Sequence, residues 1–159
     1  ELPATQGSLA GLPAVTPEGL ARAGVVLGGI RVLLVDDDAD AREALQFVLE
    51  QAGAEVHGYD SGRALLRALG SDQTAEAMTV LVLDIAMPGE DGFSVLAQVR
   101  KLEGLPFMPA IAVTALTYLD RPQFERGGFQ DCFGKPLDPQ RLIKAIAVLA
   151  TRGAEKSAA

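Results

Sequence analysis

Arg31 to Val35 (RVLLV) is a continuous apolar run short enough to be one buried strand. Ala41, Ala44, Leu45, Val48, Leu49 and Ala52 follow at helical spacing, and Gly53 closes that helix. The alternation then repeats. Glu55 to Tyr59 reads as a second strand and Gly62 to Leu69 as a second helix. Thr79 to Leu83 (TVLVL) is a third buried strand, followed by a helix over Phe93 to Leu102 with Phe93, Leu96, Val99 and Leu102 on one side. Ala110 to Val113 forms a fourth strand, and a weak helix spans Pro122 to Arg126. Gln130 to Phe133 is a short fifth strand, and Leu142, Ile143, Ile146 and Leu149 mark a strong last helix.

Strands apolar on both faces, alternating with helices, predict an α/β fold with a five-stranded parallel sheet covered on both sides. Right-handed crossovers make it doubly wound, and ligands of such sheets bind beyond the carboxyl ends of the strands. The flanks differ. Residues 1–29 read as a linker, with Pro3, Pro13 and Pro17 among many glycines and a short helix over Pro17–Ala23 capped by Thr16. Residues 30–150 make the folded domain, and 151–159 a flexible tail.

The 159 residues and 16.6 kDa fit one domain, and 48% hydrophobic with 22% charged residues excludes a disordered chain. Aromatics are 5% with no Trp, so the core is aliphatic. Fourteen basic against 21 acidic residues give a net charge of −7, without a basic cluster, so direct nucleic-acid binding is not expected. A single cysteine, Cys132, excludes an intrachain disulfide. A single histidine, His57, excludes multi-histidine metal sites and argues against a Ser-His-Asp triad. No run approaches a membrane span and no signal sequence is present, which predicts a cytoplasmic segment without membrane contact. The opening Glu1 predicts a processed form or a piece of a longer chain.

The strand ends carry the candidate chemistry. Strand one ends in Asp36-Asp37-Asp38. Asp38 suits a helix cap, whereas two further adjacent carboxylates are harder to explain that way. Strand three ends in Asp84, before Met87-Pro88-Gly89; alone it reads as a turn-initiating Asp. In a doubly wound sheet strands one and three are neighbours, so these carboxylates crowd together and call for a proton or a cation. All-oxygen ligands point to a hard ion, most simply Mg²⁺. Thr114 ends strand four, and Lys135-Pro136 follows strand five, where the lysine can reach the acidic cluster and the X-Pro bond is the common setting for a cis peptide. The set fits phosphoryl transfer to a carboxylate: Asp84 as nucleophile, Asp36 and Asp37 for the metal, Thr114 and Lys135 for the phosphoryl oxygens.

Taken in order, Asp36-Asp37, Asp84, Met87-Pro88-Gly89, Thr114-Ala115 and Lys135-Pro136 resemble the response-regulator receiver domains of two-component signalling, across residues 31 to about 150. The resemblance implies a flavodoxin-like sheet of order 2-1-3-4-5 and a phosphoacceptor at Asp84. It implies Mg²⁺ held by Asp37 and Asp84, by the Ala86 carbonyl, and by Asp36 largely through water. The implied partner is a sensor histidine kinase or a histidine-containing phosphotransfer domain. One departure is Cys132, where receivers usually carry Tyr or Phe as a switch; Phe133 belongs to the opposite face of its strand. The other is the weak helix ahead of strand five.

Two other functions compete. A Mg²⁺-dependent phosphohydrolase with an Asp nucleophile, of the haloacid-dehalogenase type, wants a second Asp two residues later, where Ala86 stands. A pseudo-receiver that only docks would not need the full acidic and basic set. A linker in front and a short tail behind resemble the carboxy-terminal receiver of a hybrid sensor histidine kinase, and Glu1-Leu2-Pro3 resembles the last strand of such a kinase's ATP-binding domain; a free-standing receiver is the alternative. Phe47 lies off the buried stripe of Ala41, Ala44, Leu45 and Val48, beside Asp40, Glu43 and Gln51. There it either caps the core edge or forms part of a docking site for a histidine-bearing helix.

Overall fold

The computed structural model describes residues 27–71, 78–115 and 120–158. The helix expected over Pro17–Ala23, with most of the linker, lies outside them. Strands β1 (Arg31–Val35), β2 (Glu55–Tyr59), β3 (Thr79–Asp84), β4 (Ala110–Thr114) and β5 (Asp131–Gly134) alternate with helices α1 (Ala39–Gln51), α2 (Gly62–Ser71), α3 (Gly92–Lys101), α4 (Arg121–Arg126) and α5 (Pro139–Ala158). The five strands form one parallel sheet of order β2-β1-β3-β4-β5. Residues 36, 84, 114 and 135 therefore share its carboxyl edge.

Successive strand residues point to opposite faces, and both faces are dry, so the strands read as unbroken apolar runs. On one face Val32, Leu34, Val80, Val82, Ile111 and Val113 meet Leu49 of α1, the α1 C-cap Ala52, and Leu142, Ile143, Ile146 and Leu149 of α5. On the other, Leu33, Val35, Leu81, Leu83 and Ala112 meet Leu65 and Leu69 of α2, Val95, Leu96 and Val99 of α3, and Phe124 of α4. Phe93 stacks on Phe124 there and Phe129 meets both edge-to-face, with ring centroids 5.5 to 6.2 Å apart.

Two boundaries and one helix face differ from the sequence reading. The packed unit already includes Leu27, within the expected linker: it is fully buried and its N–H donates to the Ala52 carbonyl at 2.7 Å, so it closes the end of the α1 core. The last helix runs on to Ala158 through the segment expected to be a flexible tail, because Ala154, Glu155 and Lys156 favour helix and no proline stops it. In α1, Ala41 and Ala44 are exposed. Leu45, Val48, Leu49 and Ala52 fill the buried stripe; Ala41 stands in the first turn at the open sheet edge, and Ala44 lies roughly 90° around the helix. The short α4 matches its weak sequence signal and is held by a capping box between Asp120 and Gln123.

Candidate functional site at the carboxyl edge of the sheet

β1 delivers Asp36 to the sheet edge and the chain then turns into α1. Asp38 caps that helix, accepting from the N–H groups of Asp40 at 3.0 Å and Ala41 at 3.3 Å. That leaves Asp36 and Asp37 for other work. Asp36 is buried, accepts from the Asp38 N–H at 2.9 Å, and has its own carbonyl held by Arg42 Nη1 at 2.7 Å. Asp37 is exposed.

Asp84 ends the central strand and is only 5% exposed. Its Oδ1 accepts from the Ala86 N–H at 3.1 Å. Beyond it the chain folds into a two-residue antiparallel ladder, Ala86–Met87 against Glu90–Asp91, turned by Pro88 and by Gly89 at φ 72°. That is the Pro-Gly turn the sequence predicts, with glycine taking the positive φ of a type II turn. Asp91 caps α3 through the Phe93 N–H. Glu90 reaches across to the N–H groups of Gly62 at 2.7 Å and Arg63 at 2.9 Å, where its charge suits the α2 N-terminus. The loop behind Asp84 is thus tied to two helices.

Asp36, Asp37 and Asp84 each bring one carboxylate oxygen within 4.8 Å of the others. Lys135 Nζ lies 3.3 Å from Asp84 Oδ2 and 3.6 Å from Asp36 Oδ2. The Lys135–Pro136 peptide is cis, and the Lys135 N–H donates to the Thr114 carbonyl at 2.9 Å. Thr114 is buried one residue beyond Val113, the β4 partner of Asp84. Burial pushes the Asp84 carboxyl above its ordinary range and the Asp36 charge adds to this; Lys135 and the Ala86 N–H pull back less. Burial lowers the affinity of Lys135 for its proton, but Asp84 and Asp36 together outweigh it and the ammonium is held above its usual value.

Four of the side chains expected from the sequence, Asp36, Asp37, Asp84 and Lys135, therefore converge, with Ala86 beside Asp84 and Thr114 at the end of the neighbouring strand β4. Sequence reasoning missed Arg42 and Glu90. Arg42 is a basic residue within the second turn of a helix that starts from an acidic pair. Glu90 is visible only as an acid next to a Pro-Gly turn. Cys132 and Phe133 do point to opposite faces: Phe133 packs with the α1–α5 side and half-buried Cys132 with the other. Burial raises the Cys132 thiol pKa, so it stays a neutral, small apolar group.

The sequence profile of the response regulator receiver domain matches residues 32–147. The chain belongs to the response regulator receiver family. This receiver is 40% identical over 121 residues to an uncharacterized 14.6 kDa protein of Leptolyngbya boryana, covering 76% of this chain and 89% of that one. It is 36% identical to the transcriptional regulatory protein GltR of Pseudomonas aeruginosa, covering 78% of this chain and 50% of GltR. The receiver thus spans half of GltR, and only 24% of the P. aeruginosa regulator FleR. Among solved structures, the receiver domain of the Francisella response regulator 1452 superposes with a TM-score of 0.68 at 26% identity, covering 78% of this chain and 98% of that one. Full-length FixJ from B. japonicum gives 0.66 at 30% identity, covering 82% and 62%. Among the described residues no helix is long and apolar enough to cross a membrane.

Proposed function

We propose that Asp84 accepts a phosphoryl group from a phosphohistidine donor, a sensor histidine kinase or a histidine-containing phosphotransfer domain, with Mg²⁺ as cofactor. The observation that carries this reading is a buried carboxylate 3.3 Å from a lysine ammonium and inside a cluster of three aspartates. An Asp84 oxygen attacks phosphorus, the P–N bond to the donor imidazole breaks, and that nitrogen keeps the electron pair. The product is an acyl phosphate on Asp84. Lys135 and the Thr114 hydroxyl receive the phosphoryl oxygens as donors preset before the transfer.

The donor set fits Mg²⁺. Ligand oxygens at about 2.1 Å from one octahedral ion lie roughly 3 to 4 Å apart. A cluster within 4.8 Å, with Asp37 exposed at its rim, meets this when the most distant carboxylate binds through water. In this reading Asp37, Asp84 and the Ala86 carbonyl hold the ion directly and Asp36 does so through water. When bound, the ion offsets the carboxylate crowding and the negative charge on the incoming phosphoryl group.

Ala86 stands where a phosphohydrolase of this chemistry needs a second carboxylate, so the acyl phosphate has no dedicated acid or base to discharge it. The test is incubation with Mg²⁺ and acetyl phosphate, read by intact mass. One phosphoryl group is expected on the native chain and none on Asp84→Asn. An equal mass gain in the variant removes Asp84 as acceptor. Persistent release of phosphate over many turnovers would favour the hydrolase.

A further inference from the structure

Helices α1 and α5 lie side by side on one face of the sheet. They run in the same direction: each starts at the carboxyl edge, after β1 or after β5, and packs back along the sheet. Their outer surfaces carry matched sequences of opposite sign. On α1 the exposed residues Asp40, Glu43, Phe47 and Glu50 follow each other at steps of three and four. On α5 the exposed residues Arg141, Lys144, Val148 and Arg152 do the same. The order acid, acid, aromatic, acid on one helix meets base, base, aliphatic, base on the other.

The exposed large apolar side chains among the described residues are Phe47, at 60%, and Val148, at 46%. They occupy the same place in the two stripes. No ion pair of the described structure engages Asp40, Glu43, Arg141, Lys144 or Arg152. Both stripes point to solvent, and within one copy they are neighbours on one face rather than partners.

We infer that this face binds a second copy of the same chain, with α1 of each copy against α5 of the other. A two-fold axis parallel to the helices brings each α1 onto a parallel α5, so the stripes meet in register and every contact occurs twice. Phe47 then covers Val148 of the partner, inside a ring of acid–base pairs. The chain as a whole is acidic at −7, so random encounters repel; segregation of charge between the two helices makes this one face self-complementary. The inference goes beyond the phosphoacceptor reading and does not rest on it.

The experiment is sedimentation equilibrium of the 159-residue chain over a range of concentrations, with Glu43→Lys and Lys144→Glu alone and mixed. Both substitutions are on exposed positions and should leave the melting temperature and acetyl phosphate labelling unchanged. The native chain is expected to pass from monomer to dimer as it is concentrated. Each reversal puts like charges together at two symmetric points and should weaken the dimer about tenfold or more. In an equimolar mixture both α1–α5 contacts become complementary again, so the two variants should associate with each other more tightly than with themselves. A native chain that stays monomeric, a dimer that neither reversal weakens, or variants that fail to associate on mixing would each overturn the inference.

Discussion

Lys135 Nζ stands 3.3 Å from Asp84 Oδ2 and 3.6 Å from Asp36 Oδ2, so one ammonium from the β5 edge bridges the ends of β3 and β1. It only partly offsets the cost of the cluster, since burial still holds the Asp84 carboxyl above its ordinary pKa. The site is assembled at some expense of stability, which is the usual state of a pocket that awaits a ligand.

That imbalance predicts a pH dependence. The folded state binds the Asp84 proton more tightly than the unfolded chain, whose value is near 3.8. Stability from this group is therefore greatest in acid and is lost as pH rises from the ordinary value through the raised one. Asp84→Asn removes the loss. Its advantage over the native chain should be absent below the ordinary carboxylate range and should grow as pH rises through the raised value. Urea midpoints of both proteins across this range, without divalent ions, test the sign. Lys135 is also raised and so has a dependence of the same sign, but it keeps its contribution below 10.5 and loses it as pH rises through its own raised value, outside the window. An advantage that shrinks towards neutral pH would contradict the cause assigned to Asp84.

Mg²⁺ should raise the melting temperature of the native chain by binding only the folded state. Asp37→Ala removes an exposed carboxylate that caps nothing, so the fold should survive and the metal response should vanish. The variant should be at least as stable as the native chain without metal, because one of three crowded charges is gone. Calorimetry with and without Mg²⁺ reads both effects. A full metal-dependent rise in the variant would exclude Asp37 as a ligand.

Gly92 supplies a steric test. A Cβ there would meet the Ile85 Cα at 2.9 Å and the Asp84 carbonyl oxygen at 3.1 Å. Both are backbone atoms that cannot rotate away. Gly92→Ala should cost about 1–3 kcal/mol and shift the chain just behind Asp84. Acetyl phosphate labelling should slow along with the loss of stability. A variant as stable as the native chain would show that α3 is free to move off β3.

The sheet was legible because both its faces are dry: RVLLV and TVLVL are short, unbroken apolar runs that suit strands covered on both sides. The site was legible because strand order turns distant residues into neighbours, bringing Asp36, Asp84 and Lys135 together once the winding is known. Local patterning failed where burial depends on what covers a helix. Ala41 and Ala44 fit a hydrophobic period, yet among the described residues no element covers them, whereas Leu27 sits near glycines and is fully buried. Glu90 was hidden for a related reason: its partners, the N–H groups of Gly62 and Arg63, are some 28 residues away in sequence.

Phe47 was balanced between the core edge and a docking role, and its 60% exposure removes the core edge. Phe47→Ala should therefore change stability by no more than about 0.5 kcal/mol. The residue lies on α1, whose N-cap Asp38 follows Asp37 at the pocket rim. In the proposed reading a histidine-bearing helix delivering phosphoryl groups to Asp84 would lie against that end of α1, and an exposed aromatic would offer it apolar area at low entropic cost. A small donor needs no such contact. With the chain dilute enough to be monomeric, Phe47→Ala should slow labelling by a phosphohistidine protein and leave labelling by acetyl phosphate unchanged. Because a second copy covers the same residue, transfer from the protein donor should also slow as the native chain is concentrated, and do so less in Lys144→Glu. Equal losses with both donors at low concentration would assign Phe47 to the fold rather than to docking.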